Sequence, residues 1–149
     1  MSRGFEELTL KADMMRKTLA CQRPDDFIQM YNQCFYDRDL DGLRSLYSSD
    51  EFSVFWDNHK DCDSTNLDDH FAKLATFFET GKETEAGEVE PLQIEDMNVC
   101  NGSDMAVVTA ILRYQSTPRP GVRSTFVLIN HDNSWRAVHI HHSFDPNEH

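Results

Sequence analysis

Hydrophobic positions along this chain change period part-way through, from helical to strand spacing. Phe5, Leu8, Ala12, Met15 and Leu19 recur at steps of three and four, which predicts an N-terminal amphipathic helix within residues 1–23. Phe27, Met30, Tyr31, Cys34 and Phe35 form a second stripe after Pro24, with Asp25 and Asp26 in the first turn, where a helix dipole favours negative charge. Leu40, Leu43, Leu46 and Tyr47 predict a short third helix after Asp39, weakened by Gly42. From Glu51 to Asp57 the period falls to two: Phe52, Val54 and Trp56 alternate with Ser53, Phe55 and Asp57, a strand pattern. Leu67, Phe71, Leu74 and Phe78 then predict a fourth helix. Thr65 and Asp68 stand at capping-box spacing at its start, and Gly81 at its end.

Beyond Gly87 the pattern is strand throughout. Segments near 89–99, 105–115, 122–130 and 135–144 are separated by Asn101-Gly102-Ser103-Asp104, Thr117 to Gly121, and His131-Asp132-Asn133-Ser134. Connectors this short imply an antiparallel meander. Pro91 places the first of these strands late or at an edge. In the last strand, strict alternation puts Trp135, Ala137, His139, His141 and Ser143 on one face. Arg136, Val138, Ile140, His142 and Phe144 fall on the other, which is apolar enough to meet a core. Helices gathered on one face of a curved antiparallel sheet make an α+β layer structure around a cavity. The expectation is a single domain with its core at about 24–144 and a short free tail over 145–149.

Composition narrows the function. The 149 residues carry a formal net charge of −12, which disfavours nucleic-acid phosphates and anionic membrane surfaces as partners. Cys21, Cys34, Cys62 and Cys100 form no CxxC pair, and no apolar run suggests a signal segment or a membrane span. A cytoplasmic protein with reduced thiols is the expectation. His139 and His141 share a strand face, yet no third ligand accompanies them, so neither metal nor cofactor is implied.

The order of elements, with two stretches, resembles the SnoaL-like branch of the nuclear transport factor 2 (cystatin-like, cone-shaped) superfamily. The first stretch runs from Tyr31 through Asp39-Leu40-Asp41 and Tyr47 to Asp50. The second is Arg123-Ser124-Thr125 followed by Trp135 and His139-Ile140-His141-His142-Ser143. This ending is also similar to the association domain of calcium/calmodulin-dependent kinase II. The superfamily holds ketosteroid isomerases, polyketide cyclases, dehydratases and non-catalytic oligomerisation modules. The resemblance therefore implies the fold, and leaves open both a cofactor-independent proton-transfer enzyme and an association module.

Carried over residue by residue, the resemblance puts Tyr31 where the isomerases donate a hydrogen bond to the substrate oxyanion. Phe55 stands where they keep their proton-shuttling aspartate, and a phenyl ring cannot accept a proton. Asp57, two residues on, offers a displaced carboxylate. Against the kinase association domain, Arg113 matches a pocket arginine, while His142 and Phe126 stand at two others, so this pocket carries less positive charge. The expected ligand-binding set is Tyr31, Phe55, Asp57, Arg113 and His142, around a small apolar or weakly anionic molecule. In a catalytic version Asp57 or His142 would act as base, with Tyr31 or Arg113 stabilising an enolate oxygen. Arg113, in an otherwise apolar strand, needs a partner, which Asp57 or a bound anion would supply, unless it stands at an exposed strand end. Arg123, Thr125, His139, His141 and Ser143 are the expected outer sheet face and homodimer interface, hydrogen-bonded to one another or across it.

Overall fold

A computed structural model describes residues 20–57, 60–80 and 92–148. The N-terminal stripe from Phe5 to Leu19, Gly81 and Pro91 lie outside the described residues. A 3-10 turn, Pro24–Asp26, leads into helix α1 (Phe27–Asp37), followed by α2 (Leu40–Ser45), strand β1 (Ser53–Trp56), a second 3-10 turn (Lys60–Cys62) and helix α3 (Leu67–Thr80). Four long strands complete the described chain: β2 (Leu92–Asn101), β3 (Met105–Tyr114), β4 (Val122–His131) and β5 (Ser134–Phe144).

Local chemistry explains where these elements stop and start. Arg38 closes α1 in the left-handed conformation, at φ 53°, and its amide returns to the last turn's carbonyls. The Asp39 carboxylate then caps α2 by accepting from the Gly42 N–H at 2.9 Å. Helix α3 departs from expectation, since Asn66 is its cap rather than Thr65. The Asn66 side-chain oxygen accepts from the Asp69 N–H at 2.8 Å, and Ser64 Oγ donates to the Asp69 carboxylate at 2.7 Å. Asp132 and Asn133, both at positive φ, form the two-residue turn between β4 and β5, a conformation asparagine and aspartate tolerate.

The sheet order is β1-β5-β4-β3-β2. The meander from β2 to β5 is antiparallel as expected, but β1 joins the edge parallel to β5, so the sheet is mixed. Its inner face presents Ala106, Val108, Ala110 and Leu112 of β3 and Val122, Phe126 and Leu128 of β4 to the helices. Phe27, Ile28, Tyr31, Leu43, Leu46 and Tyr47 answer from the helical side, each buried. Together they form one continuous core.

A bulge in β5 corrects the strict alternation expected there. Val127 pairs with His139 while Leu128 pairs with Ala137, so Val138 is an extra residue. Trp135 and Ala137 consequently face inward and are buried, beside Ile140 and His142 on the same face. The segment after β5 is also not free: the Asp145 N–H donates to the Gly121 carbonyl at 2.9 Å, and Glu148 is held by side-chain bonds. All four cysteines lie among the described residues and are free thiols. Among the described residues no helix is long and apolar enough to cross a membrane.

Candidate ligand cavity

Between the helices and the inner face of the sheet lies a cavity of about 430 Å³. Its walls are mostly apolar or aromatic: Phe35, Val54, Trp56, Leu74, Phe77, Leu92, Leu112, Tyr114, Val122 and Ile140. Tyr31, His70 and His142 supply the polar groups of the interior, and Cys62 and Lys73 complete the lining. Each wall residue follows from its element's period. Trp56 shares the inner side of β1 with Val54, and Leu112 and Tyr114 share that of β3.

The polar end is built on His142. Its Nδ1 lies 2.7 Å from Ser124 Oγ on the paired strand, and its Nε2 lies 3.5 Å from the Tyr31 hydroxyl. The Trp56 and Phe126 rings flank the imidazole, with centroids 4.9 and 5.9 Å away. Burial, reinforced by nearby His141 and His70, pushes its pKa down to about 3, so the ring is neutral at ordinary pH. Burial likewise raises the Tyr31 hydroxyl well above its usual range, which keeps it protonated and able to donate. His70 sits among Tyr47, Phe52 and Phe71, and burial lowers it to about 4. Its Nε2 is buried without a hydrogen-bond partner among the described residues. Lys73, at the wall, is tied to Asp69 at 3.2 Å and donates to the Asp63 carbonyl at 2.6 Å. No carboxylate and no arginine lines this cavity among the described residues.

Of the five residues expected to meet a ligand, the fold brings Tyr31 and His142 together and sends the others to the opposite face of the sheet. Phe55 is 42% exposed and packs on His139 and His141, with centroids 5.2 and 6.3 Å away. The Asp57 carboxylate accepts from His141 Nε2 at 2.8 Å in the open. The reason is the β1 period: Phe52, Val54 and Trp56 claim the core side, leaving Ser53, Phe55 and Asp57 outward. Arg113 likewise points away from the cavity. Its partners are Glu95, through Nε at 2.7 Å, and Glu148, through Nη1 at 3.0 Å and Nη2 at 3.2 Å, rather than Asp57 or an anion.

Arg123, Thr125, His139, His141 and Ser143 do share the outer face, in the cross-strand pairs Arg123–Ser143 and Thr125–His141. Their expected mutual hydrogen bonds are replaced, however. His139 Nδ1 bonds Ser53 Oγ at 2.8 Å, and His141 bonds Asp57. No group of three potential ligands arranged to hold a metal ion occurs among the described residues.

Sequence reasoning missed His70 and Tyr114 as cavity residues. A signal existed for the first: His70, Leu74 and Phe77 repeat at steps of four and three, a stripe flanking the one formed by Phe71 and Phe78. Ser124, which orients His142, could be found only from strand pairing.

Comparison with known proteins accords with this architecture. A ketosteroid isomerase candidate from Parabacteroides distasonis is 16% identical, covering 83% of this chain and 88% of its own, with a TM-score of 0.63. An NTF2-like protein of unknown function from Pseudomonas putida is 20% identical, covering 82% and 85%, with a TM-score of 0.64. The CaMKII hub of S. rosetta is 17% identical over 80% and 92%, with a TM-score of 0.61. At such identities the likeness is one of fold. No curated protein matches the sequence. A family model described as a SnoaL-like domain matches residues 25–146, and the chain belongs to that family.

Proposed function

We propose that this domain binds a small uncharged molecule with an apolar, flat body and one hydrogen-bonding end. The observation that carries this reading is the cavity between sheet and helices, whose aromatic walls converge on the neutral pair Tyr31 and His142. Ligand pockets of this kind combine broad apolar contact with a few placed polar groups. Among the described residues no carboxylate or arginine lines the cavity, and Lys73 is already engaged by Asp69 and the Asp63 carbonyl, so a ligand charge left unpaired inside would be costly.

Binding is favoured over proton-transfer catalysis. The base would fall to His142 or His70, both made feeble by burial, because Asp57 stands on the other side of the sheet. The test is native mass spectrometry of the purified protein for a co-purifying molecule, followed by titration with a panel of neutral and carboxylated aromatic compounds. Neutral compounds should bind, and Tyr31→Phe should weaken them while leaving the fold intact. Leu112→Trp, which fills the cavity, should abolish binding. Selective binding of the carboxylates would overturn the reading.

A second role is self-association through the outer sheet face. Phe55, Val107 and Met105 are 42%, 36% and 55% exposed there, around Thr125, His139 and His141. The likeness to a CaMKII hub is in keeping with assembly. Light scattering should give the mass of a homodimer, and Phe55→Glu should reduce it to that of one chain. Free thiols suit a reducing compartment, so we place the protein in the cytoplasm.

A further inference from the structure

We infer that Glu148 is a positioning residue for the cavity, a strap that fixes the rim β3 and β4 offer to a ligand; this rests on the ligand-binding reading above. Arg113 is the hub of the strap. It donates to Glu95 of β2 at 2.7 Å, to the Pro118 carbonyl in the β3–β4 connection at 2.9 Å, and to both carboxylate oxygens of Glu148 at 3.0 and 3.2 Å. The Gly121 N–H adds a third donor to Glu148, at 3.0 Å. Only glycine admits this approach: a Cβ at position 121 would lie 2.9 Å from Arg113 Nη1 and 2.7 Å from the Ile111 side chain. One guanidinium thus ties together β2, β3, the loop and the segment after β5. Bidentate, charge-assisted bonds of this kind are the stronger ones.

The far side of the same backbone is the cavity. Leu112 and Tyr114 flank Arg113 in sequence, Val122 follows Gly121, and Leu92 pairs with Tyr114. Successive strand residues face opposite sides, so a clamp on Arg113 and Gly121 holds those four wall residues through shared backbone. Without the Glu148 carboxylate, the Gly121 N–H and one edge of the guanidinium lose their acceptor. The β3–β4 end is then free to splay.

The test compares Glu148→Ala and Glu148→Gln with the unaltered full chain, using the neutral fluorescent dye Nile red as probe and amide hydrogen exchange as a second readout. Glu148→Ala should bind the dye about tenfold more weakly, the scale of one lost charge-assisted hydrogen bond. Exchange should quicken at Tyr114, Gly121 and Val122 while α1 stays protected. Glu148→Gln, which keeps an acceptor oxygen for Gly121, should fall between. Unchanged dye affinity and unchanged rim exchange in Glu148→Ala would overturn the inference, as would loss of protection spread equally through α1. If the unaltered chain takes up no dye, the ligand-binding reading fails by itself, and rim exchange alone then decides the role of Glu148.

Discussion

His141 and His142 are consecutive residues that live in different solvents. His141 bonds the Asp57 carboxylate on the exposed face at 2.8 Å, whereas His142, one step along β5, bonds Ser124 in the buried interior at 2.7 Å. One strand step is enough, because side chains alternate across a sheet only a backbone thick. Of the two imidazoles only His142 lines the cavity, together with Tyr31 and His70.

Buried neutral histidines make stability fall on acidification. An unfolded histidine titrates near 6.5, while the folded values are about 3 for His142 and about 4 for His70. Between those limits the unfolded chain takes up protons that the folded chain refuses. Stability is therefore full above about pH 6.5 and declines as pH drops below it, by up to about 1.4 kcal/mol per pH unit for each histidine. Urea unfolding at pH 7, 6 and 5 measures the slope, and His142→Gln should flatten it. An equal slope in the variant would show that His142 is not the group responsible.

His70→Leu should leave stability unchanged or raise it by about 1 kcal/mol. The substitution removes a buried Nε2 that has no hydrogen-bond partner among the described residues, and replaces it with a side chain suited to the surrounding rings. A loss above about 2 kcal/mol in the same urea assay would mean that the imidazole is satisfied in solution.

Asp57→Asn should cost less than about 1 kcal/mol, since it breaks only an exposed pair. Ligand affinity should not move, because Asp57 stands across the sheet from the cavity. Isothermal titration of the variant checks this, and a tenfold loss of affinity would return Asp57 to the binding set.

Phe126→Ala should destabilise the domain by about 3–5 kcal/mol, the usual cost of truncating a fully buried aromatic ring. Phe126 is 0% exposed and packs on Phe27 and Tyr31, with centroids 5.5 and 5.1 Å away. Thermal melting gives the measurement. A shift of only a degree or two would contradict the packing described for Phe126 in the core.

The helical stripes were legible because burial acts at fixed spacing: Phe27 and Tyr31, Leu43 and Tyr47, and Phe71, Leu74 and Phe78 all face the core. Strand positions were legible from turn chemistry. What was lost came from pairing across long separations. Glu148 finds Arg113 over 35 residues, and no local pattern announces it. Asn66 stands as the cap in place of Thr65: both residue types are competent, and the Asn66 side-chain oxygen is the one that accepts from the Asp69 N–H. The assignment of Phe55, Asp57 and Arg113 to a pocket followed a family analogy where alternation alone pointed outward. Phe55 and Asp57 alternate with Val54 and Trp56, and Arg113 with Leu112.

Val138 divides β5 into two halves with independent phase. Excising it alone would leave a regular strand in which Trp135, Ala137, Ile140 and His142 keep their interior places. Removing His139 instead would do the same, with Val138 taking its outward place, whereas removing His141, beyond the bulge, would turn His142 outward. The final strand thus has a seam at which evolution or an engineer can change its length by one residue without exchanging the cavity wall for the outer surface.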